Sequence, residues 1–190
     1  MASHLILVRH SISRQRADVS SHEWELTPEG RERCEALAER LRDYEPGLVA
    51  SSAEPKARQT AELVAARLGL EASVEPELGE HRRKSEPWLA STSEFEARIR
   101  ALLQRPGQLV YGEETGDAAA DRLQAALDGL VTRHAGQTVV AVTHGTVMSL
   151  YLARVAGLDA VRTWEGLGMP AYAVLRLPGL ELLELVNDLG

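Results

Sequence analysis

The sequence predicts a three-layer α/β/α sandwich around a mostly parallel, mixed central sheet. Three observations carry this. Short, wholly apolar runs read as strands covered on both faces, and amphipathic stretches of helical period lie between them. Two further apolar runs flank Pro178-Gly179 and read as an antiparallel hairpin at the end of the chain.

The first strand is Leu5-Ile6-Leu7-Val8, and it stops at Arg9-His10. Thr27-Pro28-Glu29-Gly30 opens the first helix, with Thr27 as N-cap and Pro28 at the first helical position. Its apolar residues recur at Cys34, Leu37, Ala38 and Leu41, a one-sided stripe. Leu48-Val49-Ala50 is a second strand, and a helix from about Glu54 to Leu68 then stops at Gly69. Val74-Glu75 is a short strand-like run. Helices follow over about Ser93 to Gln104 and Asp117 to His134, and Thr138 to Val142 is another buried strand. Ala171 to Leu177 and Leu180 to Val186 form the hairpin. The stretch from His81 to Tyr111 is the least regular and most charged, suited to lying over one end of the sheet.

A chain of 190 residues fits a single domain, 1–190, with one sizeable core. Apolar residues at 44% and charged ones at 26% exclude a disordered chain, and aromatics at 4% leave the core to Leu, Val and Ala. A formal charge of -7 argues against broad nucleic-acid binding, which needs a basic face. It leaves room for a small cationic pocket. Cys34 is the only cysteine, so no internal disulfide forms, and its place in a helical stripe makes it a small apolar filler. No apolar run is long enough to span a bilayer or to act as a signal sequence, so the cytoplasm is the expected location.

In a parallel α/β sheet, ligand sites collect at the carboxyl ends of strands. Arg9-His10 and Thr143-His144-Gly145 each stand directly after a strand. One such histidine is most often a surface residue; two from separate strands are more telling. Ser51-Ser52 ends a third strand, and the helix after it carries Lys56, Arg58, Gln59 and Thr60 near an anion-attracting N-terminus. Glu77-Leu78-Gly79-Glu80 brings carboxylates to the same edge.

Leu7-Val8-Arg9-His10, Leu26-Thr27-Pro28-Glu29-Gly30, Ser51-Ser52 through Ala57-Arg58-Gln59-Thr60-Ala61, Leu78-Gly79-Glu80 and Val142-Thr143-His144-Gly145 together resemble the histidine phosphatase superfamily, which includes cofactor-dependent phosphoglycerate mutases. The resemblance runs from Leu5 to about Tyr172 and implies a phosphoglycerate mutase-like fold. It implies that His10 takes the phosphoryl group, that Arg9 binds it, and that His144 contacts it from the opposite side. Glu80 matches the proton donor, with Glu113 of Gly112-Glu113-Glu114-Thr115 as the second candidate. Ser13, Lys56, Arg16, Arg58 and Gly145 are the expected phosphate-binding residues. Neither a metal nor a cofactor is called for.

The chain departs from the family pattern at three places. Ser11 stands where glycine is usual and either narrows the pocket or adds a hydroxyl. Lys56 stands where a second arginine is usual, keeping the charge but losing the bidentate fork. Arg58 lies two residues on and leaves the helix in another direction. Arg16 stands where many relatives have asparagine. His81-Arg82-Arg83-Lys84 reads first as a solvated loop and second as a cationic wall for an extra acidic group. His4, His22 and His134 read as surface residues.

The leading expectation is therefore a metal-independent phosphomonoester hydrolase working through phosphohistidine on His10. Its partner is a small phosphorylated substrate, with no nucleic acid and no membrane; a homodimer is compatible. The alternatives are a phosphoglycerate mutase-type phosphotransferase, disfavoured because 190 residues leave little for a lid, and a non-catalytic phospho-ligand-binding module.

Overall fold

The computed structural model describes residues 3–86, 89 and 91–189. Its centre is a six-stranded sheet of order β3-β2-β4-β1-β5-β6, where β1 is His4–Arg9, β2 Pro46–Ser51, β3 Ala72–Val74, β4 Thr138–Thr143, β5 Ala171–Arg176 and β6 Glu181–Val186. β1, β2, β3 and β4 run parallel, while β5 lies antiparallel to β1 and β6 antiparallel to β5. The mixed sheet expected from the terminal hairpin is present.

The period of two along the strands divides the interior. Leu5, Leu7, Val139 and Ala141 face one core, while Ile6, Val8, Val140 and Val142 face the other. The second face is covered by α1 (Pro28–Arg42) and α2 (Pro55–Leu68), whose stripe of Cys34, Leu37, Ala38 and Leu41 is wholly buried as the spacing predicts. The first face is covered by α3 (Thr92–Gln104), α4 (Gly116–Arg133), α5 (Gly145–Ala156) and α6 (Ala160–Gly166). Thr27 accepts the Gly30 amide proton at 2.9 Å, which confirms it as the N-cap of α1. Gly69 ends α2 in the left-handed conformation.

Sequence reasoning expected a turn or helix start after His144 but did not delimit α5. Its residues from Gly145 to Leu152 are all buried, and an exposed position comes only at Arg154, so the run shows no exposed face over most of its length. Pro87, Trp88 and Ala90, within the irregular stretch from His81 to Tyr111, lie outside the described residues. Among the described residues, no helix is long and apolar enough to cross a membrane.

Two close approaches shape the loop after β1. A Cβ on Gly30 would lie 2.2 Å from the Ile12 carbonyl oxygen, so only glycine lets α1 start against that loop. Residues 13 to 26 leave and return as a pair: Ser13 bridges Leu26, and the Arg14 amide donates to the Glu25 carbonyl at 2.8 Å.

Candidate active site

Three adjacent parallel strands, β1, β4 and β2, end together. The His10 amide donates to the Thr143 carbonyl at 3.1 Å, and the Ser52 amide donates to the Val142 carbonyl at 3.1 Å. These bonds extend the sheet by one residue and fix the directions in which His10, His144 and Ser52 leave it. The two imidazoles meet edge-on, with ring centroids 5.2 Å apart.

His10 is 6% exposed. Its Nδ1 lies 2.8 Å from the Ser11 carbonyl oxygen, which can only accept, so Nδ1 carries the proton and Nε2 keeps its lone pair. Burial, together with the charges of Lys56, His144 and Arg9, holds the His10 pKa well below the usual histidine value. The ring is neutral and nucleophilic at Nε2.

His144 is also buried, and burial lowers its pKa to about 4. Nε2 lies 2.7 Å from Ser52 Oγ and 3.3 Å from Glu54 Oε1. The Glu54 carboxylate opposes the effect of burial and favours the imidazolium.

Arg9 approaches across Gly145. A Cβ there would sit 3.1 Å from Arg9 Nε, so the glycine is what admits the guanidinium, whose Nη1 donates to the Leu167 carbonyl. Burial lowers its pKa from the usual arginine value.

Glu80 is seated against the start of α5. It accepts the amide protons of Thr146 and Val147, each at 3.2 Å, and of His81 at 2.8 Å. Arg83 Nη2 lies 3.7 Å from its Oε2. Burial alone would raise its pKa, but Arg83, His144 and the His81 amide outweigh burial and hold it well below the usual carboxylate range.

These groups line a cavity of about 490 Å³ that also admits Ser13, Lys56, Arg83, Lys84, Gly145 and Thr146. Of the expected residues, the structure brings together Arg9, His10, Ser13, Lys56, Glu80, His144 and Gly145. Three stand apart. Arg16 is exposed and paired with Asp18, Arg58 is exposed and paired with Glu62, and Glu113 accepts the Ser85 amide; none lines the cavity. Ser11 is fully buried outside the cavity, its amide donating to Thr60 Oγ1 at 3.1 Å, so it does not narrow the pocket.

The cationic segment divides. Arg82 is exposed and pairs with Glu77, whereas Arg83 and Lys84 line the cavity. His81 is buried, its Nε2 donating to the Glu114 carbonyl at 2.8 Å. Only part of this stretch is solvated loop.

Sequence reasoning missed Glu54 and misplaced His22. The Glu54 carboxylate lies 2.8 Å from Lys56 Nζ and 3.2 Å from His22 Nδ1, and it accepts the Glu80 amide proton at 2.9 Å. His22 is not a surface residue: its side chain is 9% exposed. No spacing rule could have paired them, since they come from the long loop after β1 and the N-cap of α2. Among the described residues, no group of three or more His, Cys, Asp or Glu is arranged to hold a metal ion.

Residues 5–177 match the family model described as "Histidine phosphatase superfamily (branch 1)". The chain is 30% identical over 162 residues to the phosphoglycerate mutase-like protein 4 of Arabidopsis thaliana, covering 77% of this chain and 69% of that protein. It is 29% identical over 142 residues to the probable phosphoglycerate mutase GpmB of Photorhabdus laumondii subsp. laumondii, covering 71% of this chain and 65% of that one. Among solved structures, mycobacterial glucosyl-3-phosphoglycerate phosphatase superposes with a TM-score of 0.77 at 21% identity, over 99% of this chain and 100% of that one. At that identity the likeness shows a shared fold.

Proposed function

The chain belongs to the histidine phosphatase superfamily, and from that premise we propose that it is a metal-independent, cytoplasmic hydrolase of small phosphomonoesters, acting through phosphohistidine on His10. The observation that carries this reading is the Nδ1–Ser11 carbonyl hydrogen bond. It leaves a neutral imidazole with its Nε2 lone pair beside Arg9 and His144.

In the first step His10 Nε2 forms a bond to phosphorus, and the bond from phosphorus to the ester oxygen breaks. Glu80 gives a proton to that oxygen, which leaves as an alcohol. In the second step water attacks phosphorus and passes a proton to Glu80, and the P–N bond breaks to release inorganic phosphate and neutral His10. Arg9 and Lys56 neutralise the phosphoryl oxygens. The arriving negative charge raises the proton affinity of His144, which Glu54 supports. Glu80 is ionised in the free site. A substrate monoanion can bring the proton it needs, and the same negative charge offsets the hold of Arg83.

The relatives bearing phosphoglycerate mutase names favour phosphotransfer as the second reading. We keep hydrolysis as the first reading, and experiment separates the two. Rapid quench with labelled substrate tests the proposal: an acid-labile, base-stable phosphoenzyme is expected, absent in His10→Ala. A label that survives in that variant removes His10 from the mechanism. Transfer between the two phosphoglycerates would favour the mutase reading, and no turnover of any aryl phosphate would favour a binding module.

A further inference from the structure

The chain holds few aromatic residues: three Trp, four Tyr and one Phe. Of the seven among the described residues, four (Trp24, Phe95, Tyr111 and Trp164) line the cavity that contains His10 and Glu80. Tyr111 is buried in the core beneath α3 and α4, and Phe95 and Trp164 pack against that core on one side, yet Trp24, Phe95 and Trp164 are only partly buried and present the rest of their surface to the cavity. Cavities that bind organic ligands combine such walls with a few convergent polar groups.

The walls have a definite construction. Phe95 on α3 and Trp164 on α6 stand with ring centroids 6.4 Å apart, and the two helices are clamped by Arg100 Nε to Glu165 Oε1 at 2.6 Å. Trp24 lies on the loop after β1, beside the Lys56 ammonium at 5.8 Å from its ring centroid. Arg83 joins this wall to the chemistry. Its guanidinium carbon lies 5.5 Å from the Phe95 ring centroid, while Nη2 lies 3.7 Å from Glu80 Oε2. The oxygen that Glu80 protonates is the ester oxygen, so whatever is bonded to that oxygen leaves the reaction centre past Arg83 and Phe95.

We propose that Trp24, Arg83, Phe95, Tyr111 and Trp164 form a leaving-group subsite that selects phosphomonoesters whose alcohol carries a planar, apolar ring. The inference rests on the hydrolase reading for the position of the ester oxygen, but the ring's binding does not require turnover. An aromatic body stacks between the two walls and against the Arg83 face, an arrangement that rings and guanidinium groups favour. A short alkyl leaving group leaves the walls wet and gains nothing from them.

The test separates binding from chemistry. Benzylphosphonate and ethylphosphonate carry the same anionic head and cannot be hydrolysed; their affinities are measured by calorimetry on the wild type, Phe95→Ala and Trp164→Ala. Burial of one ring should favour benzylphosphonate by about tenfold or more in the wild type. The advantage should shrink to about threefold or less in each variant. In parallel, 2-phenylethyl phosphate and ethyl phosphate, whose alcohols are of similar acidity, should differ in kcat/KM in the same sense, mainly through KM. Equal affinities for the two phosphonates in the wild type overturn the subsite, as does an advantage untouched in both folded variants. Ring-selective binding with no hydrolysis of either ester retains the subsite and overturns the hydrolase reading instead.

Discussion

Glu54 Oε2 lies 2.8 Å from Lys56 Nζ, and both residues are buried, at 8% and 5% exposure. The lysine at the cavity wall is therefore already paired. The same carboxylate meets His22 and His144 and receives the Glu80 amide, so one buried charge holds four groups of the site. Arginine would offer a fork in place of this point charge. The pair instead fixes one ammonium, which also donates to the Ser21 carbonyl, at the cavity wall.

A cycle of variants separates its two roles. Lys56→Ala should lower kcat/KM by about a hundredfold, the loss expected for one phosphoryl-stabilising cation. It should also lower stability by about 3 kcal/mol, because Glu54 is left buried with less compensation. Adding Glu54→Gln to Lys56→Ala should recover much of the stability and none of the activity. Urea unfolding and steady-state kinetics read the two effects, and recovery of activity in the double variant would remove Lys56 from phosphate binding.

The sequence made the strand-end residues legible because the sheet itself delivers them. Arg9 is the last residue of β1, His10 and His144 follow β1 and β4 directly, and Glu80 shortly follows the 3-10 turn Pro76–Leu78. The helix face was half legible: Lys56 points inward and Arg58 outward, as a two-residue offset on α2 requires. Arg16 was not legible, since a loop carries no period to tell which way a side chain turns. Glu54 and His22 lay hidden because their meaning comes from partners on separate elements. A glutamate at an N-cap looks like ordinary solvated charge until the lysine and histidines around it are in place.

Stability should fall steeply in mild acid. His144 has a folded pKa of about 4 against an ordinary 6.5, so the unfolded chain binds its proton first as pH drops. Its contribution, about 3 kcal/mol, is present above pH 6.5 and lost as pH falls toward 4. His10 and His81, also lowered chiefly by burial, act in the same direction. Glu54 and Glu80, held low, add a further loss below their ordinary range near 4.5. Urea unfolding at pH 7, 5.5 and 4.5 should show the decline, and His144→Asn should flatten it. An unchanged slope in that variant would assign the acid sensitivity elsewhere.

Gly145→Ala tests how Arg9 is admitted. The added methyl would stand 3.1 Å from Nε and 3.2 Å from Cζ of a guanidinium that is also tied to the Leu167 carbonyl. The arginine must shift by a few tenths of an ångström or more. A loss of about tenfold or more in kcat/KM is expected with the helix intact, because misplacement on this scale is costly for positioned groups. Phosphate affinity should fall with it. Full activity would mean that Arg9 reaches the phosphoryl group from another position.

Arg16→Ala and Arg58→Ala should change kcat/KM by less than about twofold. Both side chains are exposed, paired with Asp18 and Glu62, and neither lines the cavity. A crippling effect of Arg58→Ala beside a mild Lys56→Ala would place the wrong face of α2 in the pocket.

Glu80 is the group on which the acid-base assignment turns. Its two oxygens are fastened by the amides of His81, Thr146 and Val147, so its position is set by its own neighbour's backbone and the first turn of α5. Glutamine keeps the shape and much of that anchoring but cannot give up a proton. Glu80→Gln should therefore reduce hydrolysis of ethyl phosphate by about a hundredfold or more, within the range of general acid catalysis. Hydrolysis of p-nitrophenyl phosphate should fall far less in the step that forms the phosphoenzyme, because its leaving group departs as a stable anion. Burst kinetics isolate that step from the later attack of water, in which Glu80 acts as base for every substrate. Glu113→Gln should leave both esters unaffected, since that carboxylate is exposed and turned to the Ser85 amide. Equal losses for the two esters in the burst phase would deny Glu80 the proton transfer and leave it the role of anchoring α5 beneath the phosphate.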